Sequence, residues 1–200
     1  VRFTFLESQS FRFSASRTVT RPSFVEMAPF LYQESYGSIQ IRGNENLKNG
    51  YNYNIDLRYE YIDKKSNLLS VTPYVKILED PIERVQELAG GSAVHSFRNS
   101  DRGLAAGLEL EGRIQILKCL KASANASFIY TNVKLPEGGG AYTNSNRALQ
   151  GASPYLVNVD LTYMHKLNDK SDIEVSCLYN LQGPRIHAVG ISGLGDVTQK

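Results

Sequence analysis

The sequence predicts an all-β chain, an antiparallel up-and-down meander of about eight long strands. Three observations predict it. Apolar and polar residues alternate over long runs, most regularly from Tyr51 to Ile62 and from Gly103 to Lys134. Side chains on a strand point to opposite faces in turn, so each run has one apolar and one polar face. The connections between runs are alternately long and short. The composition, 42% hydrophobic and 21% charged with 12 Tyr, 8 Phe and no Trp, favours β-structure and excludes disorder.

The net charge of +2 gives no footprint for nucleic acid. No run approaches the roughly 18 consecutive apolar residues of a membrane helix. A chain like this crosses a membrane only as a closed barrel, because backbone groups in lipid must pair internally. It opens at Val1 inside a strand-like run, without Met or leader, and reads as part of a longer polypeptide. Residues 1–200 are expected to be one unit with no second domain. Cys119 at a turn and Cys177 on another hairpin lie too far apart for a disulfide.

Val1 to Phe5 is a short remnant, followed by a polar turn and the strand Phe11 to Val19. Phe11, Phe13, Ala15 and Val19 share its apolar face with Arg17, whose long side chain can snorkel to headgroups. Thr20, Arg21 and Pro22 close the strand, and an irregular segment runs to about Asn49. In Tyr51 to Ile62, Tyr51, Tyr53, Ile55, Leu57, Tyr59 and Tyr61 alternate with Asn52, Asn54, Asp56, Arg58 and Glu60. Tyrosines at both ends of an aliphatic centre are the pattern of an aromatic girdle at two membrane interfaces. Asp63 to Asn67 turns into Leu69 to Ile77, where Pro73 removes a ladder donor and predicts a bulge or local defect.

Glu79 to Asn99 reads as a second long polar loop. The hairpin Gly103 to Ile116 and Leu120 to Lys134 then turns at Leu117, Lys118 and Cys119. Leu104, Leu108, Leu110 and Ile114 share one face, and Glu109, Glu111 and Arg113 the other. Both runs exceed the roughly nine to eleven tilted residues that span a bilayer. On the hairpin alone, a lipid-facing barrel wall and a soluble sheet with one face on a core fit equally. Pro136 to Ser153 is the third long loop, with Gly138 to Gly140 at its tip. Tyr155 to Met164 and Ile173 to Leu181 form the last hairpin, ahead of a short apolar segment near Ile186 to Ile191.

The order of connections separates the alternatives. In a meander, alternate connections lie at the same end, so all long loops share one rim and all tight turns the other. Outer-membrane barrels have this asymmetry, and Greek-key sandwiches do not. The expected fold is therefore part of a larger transmembrane β-barrel, with Tyr53, Leu57, Leu108, Ala124, Val159 and Val175 toward lipid. Asp56, Arg58, Glu60, Glu109, Glu111 and Arg113 are expected to face the lumen. Alone, these residues should form an open, curved sheet that is not a stable soluble protein.

Several segments also resemble the TonB-dependent outer-membrane receptors of Bacteroidetes-type bacteria. They are Ser16 to Phe24, Gly43 to Leu47, Asp56 to Glu60, Pro81 to Glu83, Gly107 to Glu111, Leu149 to Gly151 and Tyr179 to Leu181. Pro73 departs from the aromatic residue usual in such a strand. The resemblance implies a plugged barrel of 22 strands in the outer membrane, of which this chain would be a C-terminal part without plug or closing strand. It implies lipid, plug and TonB as partners, and import of a bulky, scarce extracellular ligand: siderophore, cobalamin, glycan or peptide.

No catalytic constellation, metal site or cofactor motif is legible. His95, His165 and His187 are scattered in sequence, no G-x-S-x-G elbow is present, and Gly138 to Gly140 lacks the Lys of a phosphate loop. A lumen-based hydrolase using Glu109 and Glu111 is the weakest alternative, and a soluble binding or adhesion module the stronger one. Ligand contacts are expected in the long loops, Arg21 to Lys48, Ile82 to Asn99 and Pro136 to Gln150, because strands hold such loops in place while they vary.

Overall fold

A computed structural model describes residues 1–134, 146–168, 171–190 and 194–199. In chain order the first elements are β1 (Arg2–Leu6), β2 (Gln9–Thr20), helix α1 (Phe24–Met27), β3 (Leu31–Tyr32), β4 (Ile41–Arg42), β5 (Gly50–Ile62) and β6 (Leu68–Glu79). Next come β7 (Ile82–Ala89), β8 (Ser92–Asn99), β9 (Arg102–Leu117), β10 (Leu120–Lys134) and β11 (Asn146–Arg147). The last are β12 (Tyr155–Asn168), β13 (Ser171–Gln182), β14 (Arg185–Gly190) and β15 (Val197–Gln199).

The long strands form an antiparallel meander in the order β1-β2-β5-β6-β9-β10-β12-β13, with β11 added to the end of β10. Directly paired residues share a face. The register Phe13↔Leu57, Leu108↔Phe128, Ala124↔Val159, Val159↔Tyr179 and Tyr163↔Val175 therefore lines up one apolar surface across the sheet. That surface is exposed: Ile55 by 51%, Leu57 by 44% and Val175 by 58%. In a soluble sandwich it would be the covered face. Here the better-covered side chains include Ser70 and Thr72 on the polar face, exposed by 1% and 8%. Tyr51 and Tyr61 on β5 are ten residues apart, about 33 Å along a strand, or about 25 Å normal to a membrane at the usual tilt of about 40°. That matches the apolar band of an outer-membrane barrel.

At the rim of tight turns, Asp63 closes the β5–β6 connection by accepting from the amides of Lys65 (2.7 Å) and Asn67 (2.9 Å). Asn67 also donates its side-chain amide to the same carboxylate. These bonds, with the Asn67 amide foremost, hold the Asp63 carboxyl below the usual carboxylate range.

Pro73 produces a defect, but no bulge. Pairing of β5 with β6 lapses between Asp56↔Tyr74 and Tyr59↔Val71 and resumes in the same register, while Pro73 still sits opposite Leu108 on β9. The loss is confined to the side where proline has no N–H. Val1 to Phe5 is also more than a remnant, since β1 pairs with β2 from Arg2↔Arg12 to Leu6↔Gln9.

The larger correction concerns the long connections. Glu79 to Asn99 is no loop: β7 and β8 form a hairpin through Gly90 and Gly91, whose φ of 60° and 83° are the positive values that such a two-residue turn requires. The irregular segment to Asn49 contains α1, β3 and β4, with α1 closed by a capping box between Ser23 and Glu26. The apolar stretch near Ile186 forms β14. Together these make a second sheet, β15-β14-β7-β8-β4-β3, with parallel junctions at β14–β7 and β4–β8. Asp80, with φ of 50°, and Pro81 break β6 from β7 and so divide the two sheets. The small apolar core, Val85 and Val189 with Ile186 against them, lies in this rim sheet. Within the meander, β1 and β13 each have a single neighbour among the described residues, so the sheet is open as expected.

Candidate functional site

The expected lumen residues lie together on the polar face. Arg58 joins two strands, its Nε 2.9 Å from Glu60 Oε2 and its Nη2 2.9 Å from Glu111 Oε2 on β9. Ser70 adds a hydroxyl to the same Glu111 oxygen at 3.3 Å. Asp56, Glu109 and Arg113 share the face without an ion pair among the described residues. A polar strand face of this kind holds strands in register through its cross-strand ion pairs.

The built polar structure is at the rim of the long connections. Glu83 of β7 and Arg147 of β11, exposed by 2% and 3%, form a two-point ion pair at 2.9 and 2.5 Å. Ser100 donates its hydroxyl to the same carboxylate, and the Gln150 amide donates to it at 3.3 Å. Gln150 in turn accepts from the Arg84 amide at 2.5 Å and donates to the His187 carbonyl. Arg84 donates from Nε to His95 Nδ1 at 2.9 Å and reaches Glu34 at 3.2 Å.

His95 and His187, scattered in sequence, are brought to a ring-centroid distance of 6.0 Å. They do not make a metal pair. An arginine can only donate, so His95 Nδ1 carries the lone pair and Nε2 the proton. Nε2 is buried without a partner among the described residues, and neither nitrogen is left for a cation. Burial, then the charge of Arg84 and the neighbouring His187, push the His95 imidazole down from 6.5 to about 4, keeping it neutral.

Beside this network a recess of about 760 Å³ opens between the first two long connections. Small-molecule sites occupy roughly 300–1,000 Å³. At one end Arg42 and Arg98, exposed by 50% and 42%, both hold the carboxylate of Glu87, at 2.9 and 3.3 Å. Two guanidiniums on one carboxylate leave N–H donors facing the opening. Lys48, Asn46, Asp80 and Asp101 line the rest. Asn99 ties its floor together, accepting from the Lys48 amide at 2.9 Å and donating to the carbonyls of Lys48 (3.0 Å) and Asp80 (2.8 Å). The mixture can bind a polar ligand bearing both acceptors and donors.

Two of the three expected ligand loops, Arg21 to Lys48 and Ile82 to Asn99, thus meet at one recess. Of the third, Pro136 to Gln150, residues 135–145 lie outside the described residues, Gly138 to Gly140 among them, and Arg147 and Gln150 serve the buried network instead. From sequence, Glu83 and Gln150 belong to resembling segments and, with Arg84, to the candidate loops, but nothing there shows that they meet. One signal was available, Gly90-Gly91 between two strand-length runs, which marks a hairpin and so pairs Glu83 with Arg98 and Arg84 with Phe97.

Among solved structures, the fold is similar to that of a ferric enterobactin receptor, PfeA R480A from Pseudomonas aeruginosa. The match has 20% identity and a TM-score of 0.62, over 92% of this chain and 27% of that one. It is also similar to the copper transporter OprC, at 15% identity and a TM-score of 0.65, over 94% and 27% of the two chains. A third match is the siderophore receptor PirA from Acinetobacter baumannii, at 13% identity and a TM-score of 0.58, over 98% and 32%. The chain thus spans about a third or less of the length of these neighbours. No curated protein sequence matches it significantly. The model of one sequence family, described as outer membrane protein beta-barrel family, matches residues 1–193, and the chain belongs to that family of the bacterial outer membrane.

Proposed function

We propose that this chain is the ligand-recruiting part of the barrel wall of a TonB-dependent receptor, which imports a bulky polar ligand captured at the recess of Arg42, Arg98 and Glu87. The observation that carries this is the sorting of the connections. Among the described residues, the tight turns that join neighbouring meander strands lie at one rim and the long connections at the other, where two of them enclose the recess. The structural neighbours are a ferric enterobactin receptor, a copper transporter and a siderophore receptor, which supports uptake of a scarce solute. Ion pairing of Arg58, Glu60 and Glu111 supports a polar lumen wall able to meet a plug, the part on which TonB would act. The exposed apolar face argues against a soluble adhesion module.

The test is uptake by cells producing the full-length receptor, offered a ferric siderophore, cobalamin, an oligosaccharide and a peptide in turn. Energy- and TonB-dependent uptake of one of them, reduced by Arg42→Ala with Arg98→Ala, is the expected result. Uptake unchanged by both substitutions would place recognition elsewhere, and uptake that persists without TonB would remove the transport mechanism.

A further inference from the structure

We propose that the apolar face carries a site for the phosphate of an anionic lipid headgroup, built from Arg17, Tyr51 and Tyr53 at the rim of the long connections. It rests on the reading that this face meets lipid. Arg17 sits directly opposite Tyr53 on β5, and Val19 opposite Tyr51, so all of them project from the apolar surface. The Arg17 guanidinium lies over the Tyr51 ring at 4.1 Å and within 5.5 Å of the Tyr53 ring.

A full positive charge on such a surface is tolerated only near the headgroups. Stacking on a ring face fixes the plane of the guanidinium and leaves its N–H donors along the edge, the geometry that binds a phosphate with two parallel bonds. No carboxylate among the described residues answers this charge. The nearest in register, Glu79 opposite Tyr51, pairs with Arg102 at 3.6 Å. The Tyr51 and Tyr53 hydroxyls likewise have no hydrogen-bond partner among the described residues.

The surroundings select the occupant. On the side away from the long connections lie Phe13, Ile55 and Leu57, exposed by 44%, 51% and 44%. That surface suits acyl chains, whereas free phosphate gains nothing from it. Charge complementarity with an apolar surface beneath therefore points to an anionic amphiphile anchored in the leaflet.

The experiment uses the full-length receptor in nanodiscs of phosphatidylglycerol and phosphatidylcholine, with native mass spectrometry counting retained lipid. Wild type is expected to retain phosphatidylglycerol selectively. Arg17→Gln should lower that retention about fivefold, the effect of one basic residue at a lipid surface. Tyr51→Leu with Tyr53→Leu, which keeps the charge and removes the platform, should lower it as well and decides the matter if Arg17→Gln fails to assemble. Equal retention by the variants and wild type, or displacement of the lipid by inorganic phosphate, would overturn the site. A nitroxide at residue 57 separates this from failure of the face assignment. Lipid-like oxygen accessibility there with unchanged retention rejects the site alone, and water-like accessibility rejects the face and the site together.

Discussion

Removing one partner of the buried pair Glu83–Arg147 should unfasten the rim while leaving the barrel wall standing. Both side chains are almost fully covered, and their two contacts at 2.9 and 2.5 Å are supported by Ser100 and the Gln150 amide. Losing one member of such a pair costs about 3–5 kcal/mol, because the other charge stays buried. The pair ties β7 to β11, so the cost falls on the local opening of the β7–β8 hairpin. Amide hydrogen exchange in β7 and β8 should accelerate by at least about 100-fold in Arg147→Met. Exchange in β9 and β10 should stay near wild type. Glu83→Gln should behave similarly, whereas the double substitution should cost much less than the sum, because no charge then remains unpaired. The measurement is exchange on the full-length receptor in nanodiscs for wild type, both single variants and the double. Single variants within about threefold of wild type, or a strictly additive double, would refute the assignment of a coupled buried pair.

The neutral His95 makes the rim sensitive to acid. Its folded value of about 4 lies below the ordinary 6.5, so the unfolded rim binds a proton first, and hairpin stability should fall as pH drops from about 6.5 toward about 4. His95→Gln should flatten that dependence in exchange measured across the window, and an unchanged slope would show that another group titrates. Leu108→Arg should destabilise the barrel by about 2–4 kcal/mol in lipid, and spin labels at Leu108 and Glu109 should report lipid and water respectively. Equal water accessibility at the two would defeat the face assignment. Gly107 lies under the Tyr74 ring, and an added Cβ would come within 2.5 Å of that ring and 2.7 Å of the Phe128 carbonyl. Gly107→Ala should therefore cost about 1–3 kcal/mol in chemical unfolding, and a neutral result would mean that Tyr74 swings aside freely.

The meander was legible because each of its strands meets two different solvents, and the constraint is renewed at every second residue. Tyr51 to Ile62 shows it without interruption, and the register of β5 against β2 and β6 follows. The polar face of the meander was legible for the same reason, although the alternation could not say which charges meet. Arg58 chose Glu60 on its own strand and Glu111 across the sheet, and left Asp56, Glu109 and Arg113 without ion-pair partners among the described residues. Pro73 was half legible. Its missing N–H demands a defect, but whether the register slips depends on the other neighbour, and Leu108 on β9 holds it.

The rim was not legible, because its order comes from contacts between distant segments rather than from a repeated solvent boundary. In β7 charged residues occupy both faces, Glu83 turned to Arg147 and Arg84 to His95 and Glu34, so the two-residue period is erased although a strand is present. The parallel junctions rest on little local pattern, Ile41↔His95 for β4 and Val189↔Val85 for β14. What the sequence shows as separate polar loops is one hydrogen-bonded unit. Glu34 comes from the first connection, Arg84 and His95 from the second, Gln150 from the third and the His187 carbonyl from β14, after the last long strand. This bears on recognition, because Glu83 and Glu87 share a face of β7, and Arg98 lies opposite Glu83 in the register. The strand face that presents the arginine-binding carboxylate of the recess is therefore the face anchored by Arg147 of another connection. Changes in the third connection can reshape the recess without touching it, through the position of one buried guanidinium.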